Sequence, residues 1–139
     1  MNILEMCDSE TASVQASATA EQAIREMLER HVGAVAVIDG EQRVAGIFSE
    51  RDVLRRLSLS GHDPRKISVR EVMTTPVEMA TRATTAGEAL ATMVERHYRH
   101  LPIVDDDGRL LGMLSMRNLL QAQIDMLTGQ LDQARSVVL

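Results

Sequence analysis

The chain has 139 residues, 45% of them apolar, and fifteen basic against twenty acidic residues give a net charge of −5. That length suits one domain or two small halves sharing a core. The acidic balance argues against a general nucleic-acid binder, which is usually basic, and no apolar run approaches the length of a membrane helix.

The elements follow from local signals. Asn2-Ile-Leu-Glu5 has a capping residue with a glutamate three on, which predicts a helix start. After a short first strand, Thr19-Ala-Glu-Gln22 opens a longer helix with Ala23, Ile24, Met27 and Leu28 on one face. An apolar run (Ala34–Ile38), a polar turn (Asp39-Gly-Glu-Gln) and a second run (Val44–Phe48) read as a β-hairpin. Ser49 then suits the N-cap of a further helix. Gly61–Lys66 forms a flexible link, with Pro64 ending any helix before it. The order then repeats. Helices start at Ser68-Val-Arg-Glu71 and Thr85-Ala-Gly-Glu88, the latter with an apolar face of Ala89, Leu90, Met93 and Val94. The second hairpin joins Leu101–Val104 to Leu110–Leu114 through Asp105-Asp-Asp-Gly, and Ser115 is the second N-cap.

The repetition is exact in spacing. A shift of 66 residues aligns Ile3–Leu54 with Val69–Leu120 without a gap, with 14 identities in 52 positions. "GIFSERDVL" (46–54) falls on "GMLSMRNLL" (112–120), and "ERHVGAVAVID" (29–39) on "ERHYRHLPIVD" (95–105). Two copies are too few for a solenoid, but they can pair about a pseudo-twofold axis. The expectation is an α/β protein of two β-α-β-β-α halves: repeat 1 over 1–60, a linker at 61–67, repeat 2 over 68–127 and a helical extension at 128–139.

These phrases resemble the CBS domain, the repeat named after cystathionine β-synthase. The matching features are "GIFSERD", "RHLPIVD" and "GMLSMRN", and the resemblance covers about Asn2 to Leu127. It implies two repeats packed through their sheets, assembly into dimers, and an adenosine-containing ligand in a cleft between repeats.

The repeated phrase has chemistry suited to that. Amides in the first turn of a helix are unpaired and favour an anion. A carboxylate three residues after the serine is a pure acceptor able to take both hydroxyls of a ribose cis-diol. The resemblance gives the aspartate that role, so Ser49 and Asp52 are candidate ligand residues; a helix cap with a first-turn acid fits them as well. Ser115 and Asn118 occupy the same places in the second copy. An amide carries no charge, so that cleft is expected to be weaker, empty or tuned to another ligand. Arg99 and His100 lie where related CBS pairs meet a nucleotide phosphate. Arg offers a bidentate fork and His a titratable donor. The predicted site is therefore composite: Ser49 and Asp52 from one copy, Arg99 and His100 from the other. Gly33, Ala34 and Ala36 leave room for a base or for close sheet packing. His31 and His97 end equivalent helices and suit capping. Arg51 and Arg117 suit either the site or plain helix surface.

Other readings have less support. The histidines and Cys7 show no metal-ligand spacing, no nucleophile has a base nearby in sequence, and no cofactor is called for. Phe48 and Tyr98 are the aromatic residues, so the nine Met act as adaptable core filler. Residues 1–13 lack a signal-peptide pattern, and a cytoplasmic protein is expected. Leu120, Ile124, Leu127, Leu131, Ala134 and Val138 form an a/d seam, interrupted at Thr128-Gly129. The seam packs on its own module or pairs with a second chain; the homodimer is preferred. Together these features predict a regulatory, non-enzymatic module that binds an adenine nucleotide such as AMP, ADP or ATP and signals to a protein partner. An assembly module with vestigial clefts is the alternative, as is a sensor of S-adenosylmethionine or NAD.

Overall fold

The computed structural model describes residues 2–8 and 11–138, with side chains to residue 136. Met1, Ser9, Glu10, Leu139 and the Val138 side chain, which fall within the expected repeat and seam boundaries, lie outside the described residues.

The first half runs α1 (Ile3–Met6), β1 (Ser13–Gln15), α2 (Ala20–Arg30), β2 (Ala34–Ile38), β3 (Val44–Ser49) and α3 (Glu50–Asp52), which passes into a π-helical turn over Val53–Leu57. The second runs α4 (Val69–Val72), α5 (Ala86–Arg96), β4 (His100–Val104), β5 (Leu110–Ser115) and α6 (Met116–Val138). Up to α3 each element recurs 66 residues later. β1 lies parallel to β2, which is antiparallel to β3. In the second half the first strand shrinks to one parallel bridge, Ala80 with Ile103, in register with Val14 and Val37. A helix precedes each expected β-α-β-β-α unit.

Side-chain caps fix the helix starts. Thr19 Oγ1 accepts from the Gln22 N–H at 3.2 Å while Gln22 Oε1 accepts from the Thr19 N–H at 2.8 Å. Thr85 and Glu88 repeat the exchange at 3.1 Å each. Both long helices stop at a histidine in the left-handed region, His31 (φ 55°) and His97 (φ 59°). These histidines cap with their backbone N–H groups, which reach carbonyls of the last turn.

The hairpins share a register: Ala34 opposes Ser49, and His100 opposes Ser115. Their turns meet at the pseudo-twofold axis. The Val44 N–H donates to the Gly108 carbonyl at 3.1 Å, and the Leu110 N–H to the Gln42 carbonyl at 3.0 Å.

The first helices are exchanged. Ile3 of α1 is buried with Leu101, Ile103 and Leu114 of the second half. Val69 and Val72 of α4 are buried with Val35, Val37 and Phe48 of the first. The apolar faces of α2 and α5 are narrower than the spacing predicts. Ala23, Met27, Ala89 and Met93 are buried, but Leu28, Leu90 and Val94 are exposed. α6 runs unbroken through Thr128-Gly129. The cost of one helical glycine, about 1 kcal/mol relative to alanine, does not break it. The seam residues Leu120, Ile124, Leu127 and Leu131 are all more than half exposed, so the seam does not pack on its own module.

The two motif glycines differ in what surrounds them. A methyl group on Gly46 would stand 2.7 Å from the Thr74 carbonyl oxygen and from the Met73 sulfur. On Gly112 it would meet the Leu4 Cδ1 at 3.0 Å and the Cys7 sulfur at 3.3 Å, both side-chain atoms. Gly46→Ala should therefore destabilise by roughly 1–3 kcal/mol, in the range of overpacked cores. Gly112→Ala should cost less. Urea unfolding of the two variants checks the order.

Candidate functional site

Ser49 ends β3 at the point where the chain turns into α3. The turn is closed by a reciprocal cap. Asp52 Oδ2 accepts from the Ser49 N–H at 2.9 Å and from the Ser49 hydroxyl at 3.2 Å, and the Asp52 N–H reaches Ser49 Oγ at 3.4 Å. Asp52 is only 4% exposed. Its other oxygen, Oδ1, accepts the Thr74 hydroxyl at 2.7 Å and lies 3.6 Å from Arg56 Nε. A carboxylate this deep needs such partners.

This geometry corrects one expectation. The Ser49, Glu50 and Asp52 amides are not free for a phosphate. The Ser49 and Asp52 amides are taken up by the cap, and the Glu50 N–H donates to the Gly33 carbonyl at 3.0 Å. A phosphate at this end would depend mainly on side chains.

Such side chains are present. A cleft of about 610 Å³ is lined by Ser49, Glu50, Asp52 and Thr74 on one side and by Tyr98, Arg99 and His100 on the other. Arg51, Arg55, Arg56 and Arg96 complete its wall with His97, so five arginines face two carboxylates. Some are engaged: Arg51 reaches the His97 carbonyl at 2.8 Å, Arg56 pairs with Asp52, and Arg96 pairs with Glu78. Arg55 and Arg99 make no side-chain hydrogen bond or ion pair among the described residues. The structure thus gathers Ser49, Asp52, Arg99 and His100 around one cleft.

A second cleft, about 340 Å³, is lined by Ser115, Asn118, Arg117 and Asp8, with Gly33, Ala34, Arg99 and His100 opposite. Asn118 takes the place of Asp52 in the cap, its Oδ1 accepting the Ser115 N–H at 2.8 Å. Its Nδ2 donates to Asp8 Oδ1 at 3.2 Å, and Arg117 Nη2 reaches Asp8 Oδ2 at the same distance. Gly33, Arg99 and His100 line both clefts. Ala36 packs inside β2.

Thr74, Asp8, Arg55 and Arg56 do not stand out in the sequence. The 66-residue shift sets Asp8 opposite Thr74, but as a mismatch it carries no weight until the contacts to residues 118 and 52 are seen. Among the described residues no group of three or more His, Cys, Asp or Glu side chains could hold a metal ion. No helix among them is long and apolar enough to cross a membrane. Burial, then the charge of Asp8, pushes the Cys7 thiol up to about 11, which makes it a poor nucleophile at neutral pH.

Family comparison settles the fold's affiliation. The CBS domain matches residues 4–59 and again 69–125. The chain belongs to the CBS-domain family. An "uncharacterized 17.7 kDa protein" of Acidianus ambivalens is 37% identical over 117 residues, 84% of this chain and 70% of that one. The chain spans only 54% and 17% of the next two curated relatives it matches. Among solved structures, an uncharacterized conserved protein from Pyrococcus horikoshii superposes with a TM-score of 0.77 at 30% identity, covering 88% of this chain and 91% of that one. CBSX2 in complex with AMP also superposes, with a TM-score of 0.77 at 22% identity over 89% of this chain and 97% of that one.

His100 departs from the titratable donor expected of it. Burial first, then the charges of Arg99 and Arg117, lowers its pKa from 6.5 to about 4. It is neutral at physiological pH and can offer one N–H. In the unfolded chain the imidazole gains a proton as pH falls below about 6.5. The folded chain resists that proton until about pH 4. His100 therefore costs nothing above pH 6.5 and lowers stability as pH falls from there toward 4. By pH 4.5 the loss should reach roughly 2–3 kcal/mol. Denaturant unfolding at pH 7.5 and 4.5 should show a smaller acid loss in His100→Gln than in the parent chain.

Proposed function

We propose that this CBS pair is a regulatory module that binds an adenine nucleotide in the larger cleft and passes its occupancy to a protein partner. The observation that carries the reading is the pairing of a buried diol acceptor, Asp52 with Thr74, with an arginine-rich wall in one cavity. Asp52 suits a ribose. Arg99 and Arg55, without charge partners among the described residues, suit a phosphate. A cavity of about 610 Å³ falls within the range of small-molecule sites. A protein of the same fold was solved with AMP, which makes AMP the first ligand to test. The excess of arginine disfavours S-adenosylmethionine, whose sulfonium is positive. The site offers binding groups and no activated nucleophile, so the reading is not catalytic.

Removing Arg99 separates a nucleotide from a nucleoside. A hydrogen bond to a charged group is worth roughly 1.5–3 kcal/mol, and about 1.4 kcal/mol is tenfold in affinity. Arg99→Ala should weaken AMP binding by about ten- to a hundredfold and leave adenosine nearly unchanged in calorimetry. The loss should shrink as salt rises. Equal AMP affinity in variant and parent would place the phosphate elsewhere.

A homodimer is part of the same proposal. The exposed apolar residues Leu90 and Val94 on α5 and Leu120, Ile124, Leu127 and Leu131 on α6 favour it. α6 continues well beyond the repeat, and the a/d spacing suits pairing with the same helix of a second chain. A chain ending at Leu127 should sediment as a smaller oligomer than the full chain. An unchanged number of chains per particle means the C-terminal half of α6 is not the contact.

A further inference from the structure

The helix that carries Asp52 differs from its counterpart immediately after the acid. In the first half it widens into the π-helical turn at Val53–Leu57, where the Ser58 N–H reaches back to the Val53 carbonyl at 2.8 Å. In the second half α6 runs on as regular α-helix. A π-turn inserts an extra residue into a helix and is frequent at functional sites. This one carries Arg55 and Arg56, whose counterparts 66 residues on are Gln121 and Ala122. Arg56 reaches two partners from it. Its Nη1 donates to the Met73 carbonyl at 2.8 Å, and its Nε lies 3.6 Å from Asp52 Oδ1. Met73 precedes Thr74, whose hydroxyl donates to the same Oδ1 at 2.7 Å. Arg56, Asp52 and the Met73-Thr74 segment thus close a ring of contacts between the helix and the chain that crosses it.

We propose that Arg56 is a positioning residue of the larger cleft: it fixes Asp52 Oδ1 against Thr74 in the arrangement that receives the ribose hydroxyls, and so sets the preference of the site for ribose over deoxyribose. The inference rests on the reading of that cleft and deepens it. The Asp52 side chain is only 6% exposed, and a charge so placed needs a fixed counter-charge. Arg56 supplies it from the cleft wall, with its own side chain half exposed. With Nη1 and Nε engaged by protein, Arg56 is a poorer phosphate ligand than Arg55 or Arg99. Removing it leaves Oδ1 with the neutral Thr74 hydroxyl as its donor. Thr74 itself stays tied to Ile47 through two backbone hydrogen bonds, and the Thr75 hydroxyl still reaches the Ala45 carbonyl at 2.9 Å. The crossing therefore holds, and the change falls on the carboxylate.

Calorimetry of the full chain with adenosine, 2′-deoxyadenosine and AMP tests this. Arg56→Ala, which gives the first copy the residue of the second, should weaken adenosine and AMP by the same factor, about three- to tenfold, the value of one ordinary hydrogen bond. Deoxyadenosine should lose less, so the ribose preference narrows. Added to Asp52→Asn, the same change should cost little more, because Arg56 acts through that carboxylate. Arg56→Lys keeps the charge, but one ammonium group cannot span both partners, and it should recover only part of the loss. A loss for AMP at least about tenfold beyond that for adenosine, the value of a charged hydrogen bond, makes Arg56 a phosphate ligand and overturns the positioning role. Unchanged adenosine affinity and ribose preference in Arg56→Ala overturn it as well and leave the nucleotide reading standing. Full additivity with Asp52→Asn does the same. A parent that binds neither adenosine nor AMP overturns the reading of the cleft and this inference with it. Thermal unfolding without ligand separates lost positioning from lost fold, and if Arg56→Ala does not fold, Arg56→Lys carries the same comparison of ribose with deoxyribose.

Discussion

The exchange of first helices is the constraint on which the rest depends. Each half's own long helix covers only part of its sheet. The second half's core is closed by Ile3, and the first half's by Val69 and Val72. After each exchanged helix the chain must cross back over the other half's hairpin. In the first half that crossing is fixed by two backbone hydrogen bonds, the Thr74 N–H to the Ile47 carbonyl at 2.8 Å and the Ile47 N–H to the Thr74 carbonyl at 3.1 Å. Gly46 leaves the space for it. The crossing sets the Thr74 hydroxyl against Asp52, as its counterpart sets Asp8 against Asn118. The clefts are thus products of the exchange.

Most of the fold was legible because it rests on local signals written twice. Caps at Thr19 and Thr85, hairpin turns, and serines at 49 and 115 each bind their own neighbours within three or four residues, so spacing reveals them. What was not legible depends on contacts between distant segments. The width of an apolar face on a helix depends on what lies against it, so Leu28, Leu90 and Val94 could be assigned to the core by periodicity and still stand in solvent. The first-turn amides of α3 appear free by rule, but the Gly33 carbonyl takes one because β2 begins beside α3. A normal imidazole was expected at His100. Its burial, beside Gly33 of the other repeat, and the charges of Arg99 and Arg117 are set by contacts that spacing does not show.

Ser49 and Asp52 show why a cap and a ligand site are not competing accounts. The cap uses Asp52 Oδ2, while Oδ1 faces Thr74 and Arg56. One oxygen holds the turn, and the other is presented to the cleft in a fixed direction. A ribose hydroxyl reaching Oδ1 would meet an acceptor already satisfied by Thr74. Exchanging one neutral hydroxyl for another changes the number of hydrogen bonds little, and the net gain from such an exchange is small. Ribose contact can therefore supply orientation and selectivity. On the proposed reading the larger part of the affinity comes from groups that are unsatisfied without a ligand, Arg55 and Arg99 and the apolar walls.

Arg99 is also where the two clefts meet. It borders both, with Gly33 and His100 beside it. A guanidinium can direct its fork fully at only one phosphate, and a second anion nearby gains less from a charge already neutralised. The neutral state of His100 sharpens this, since the shared wall then has one formal charge where it could have had two. If both clefts fill with anionic ligands, each occupant weakens the attraction felt by the other.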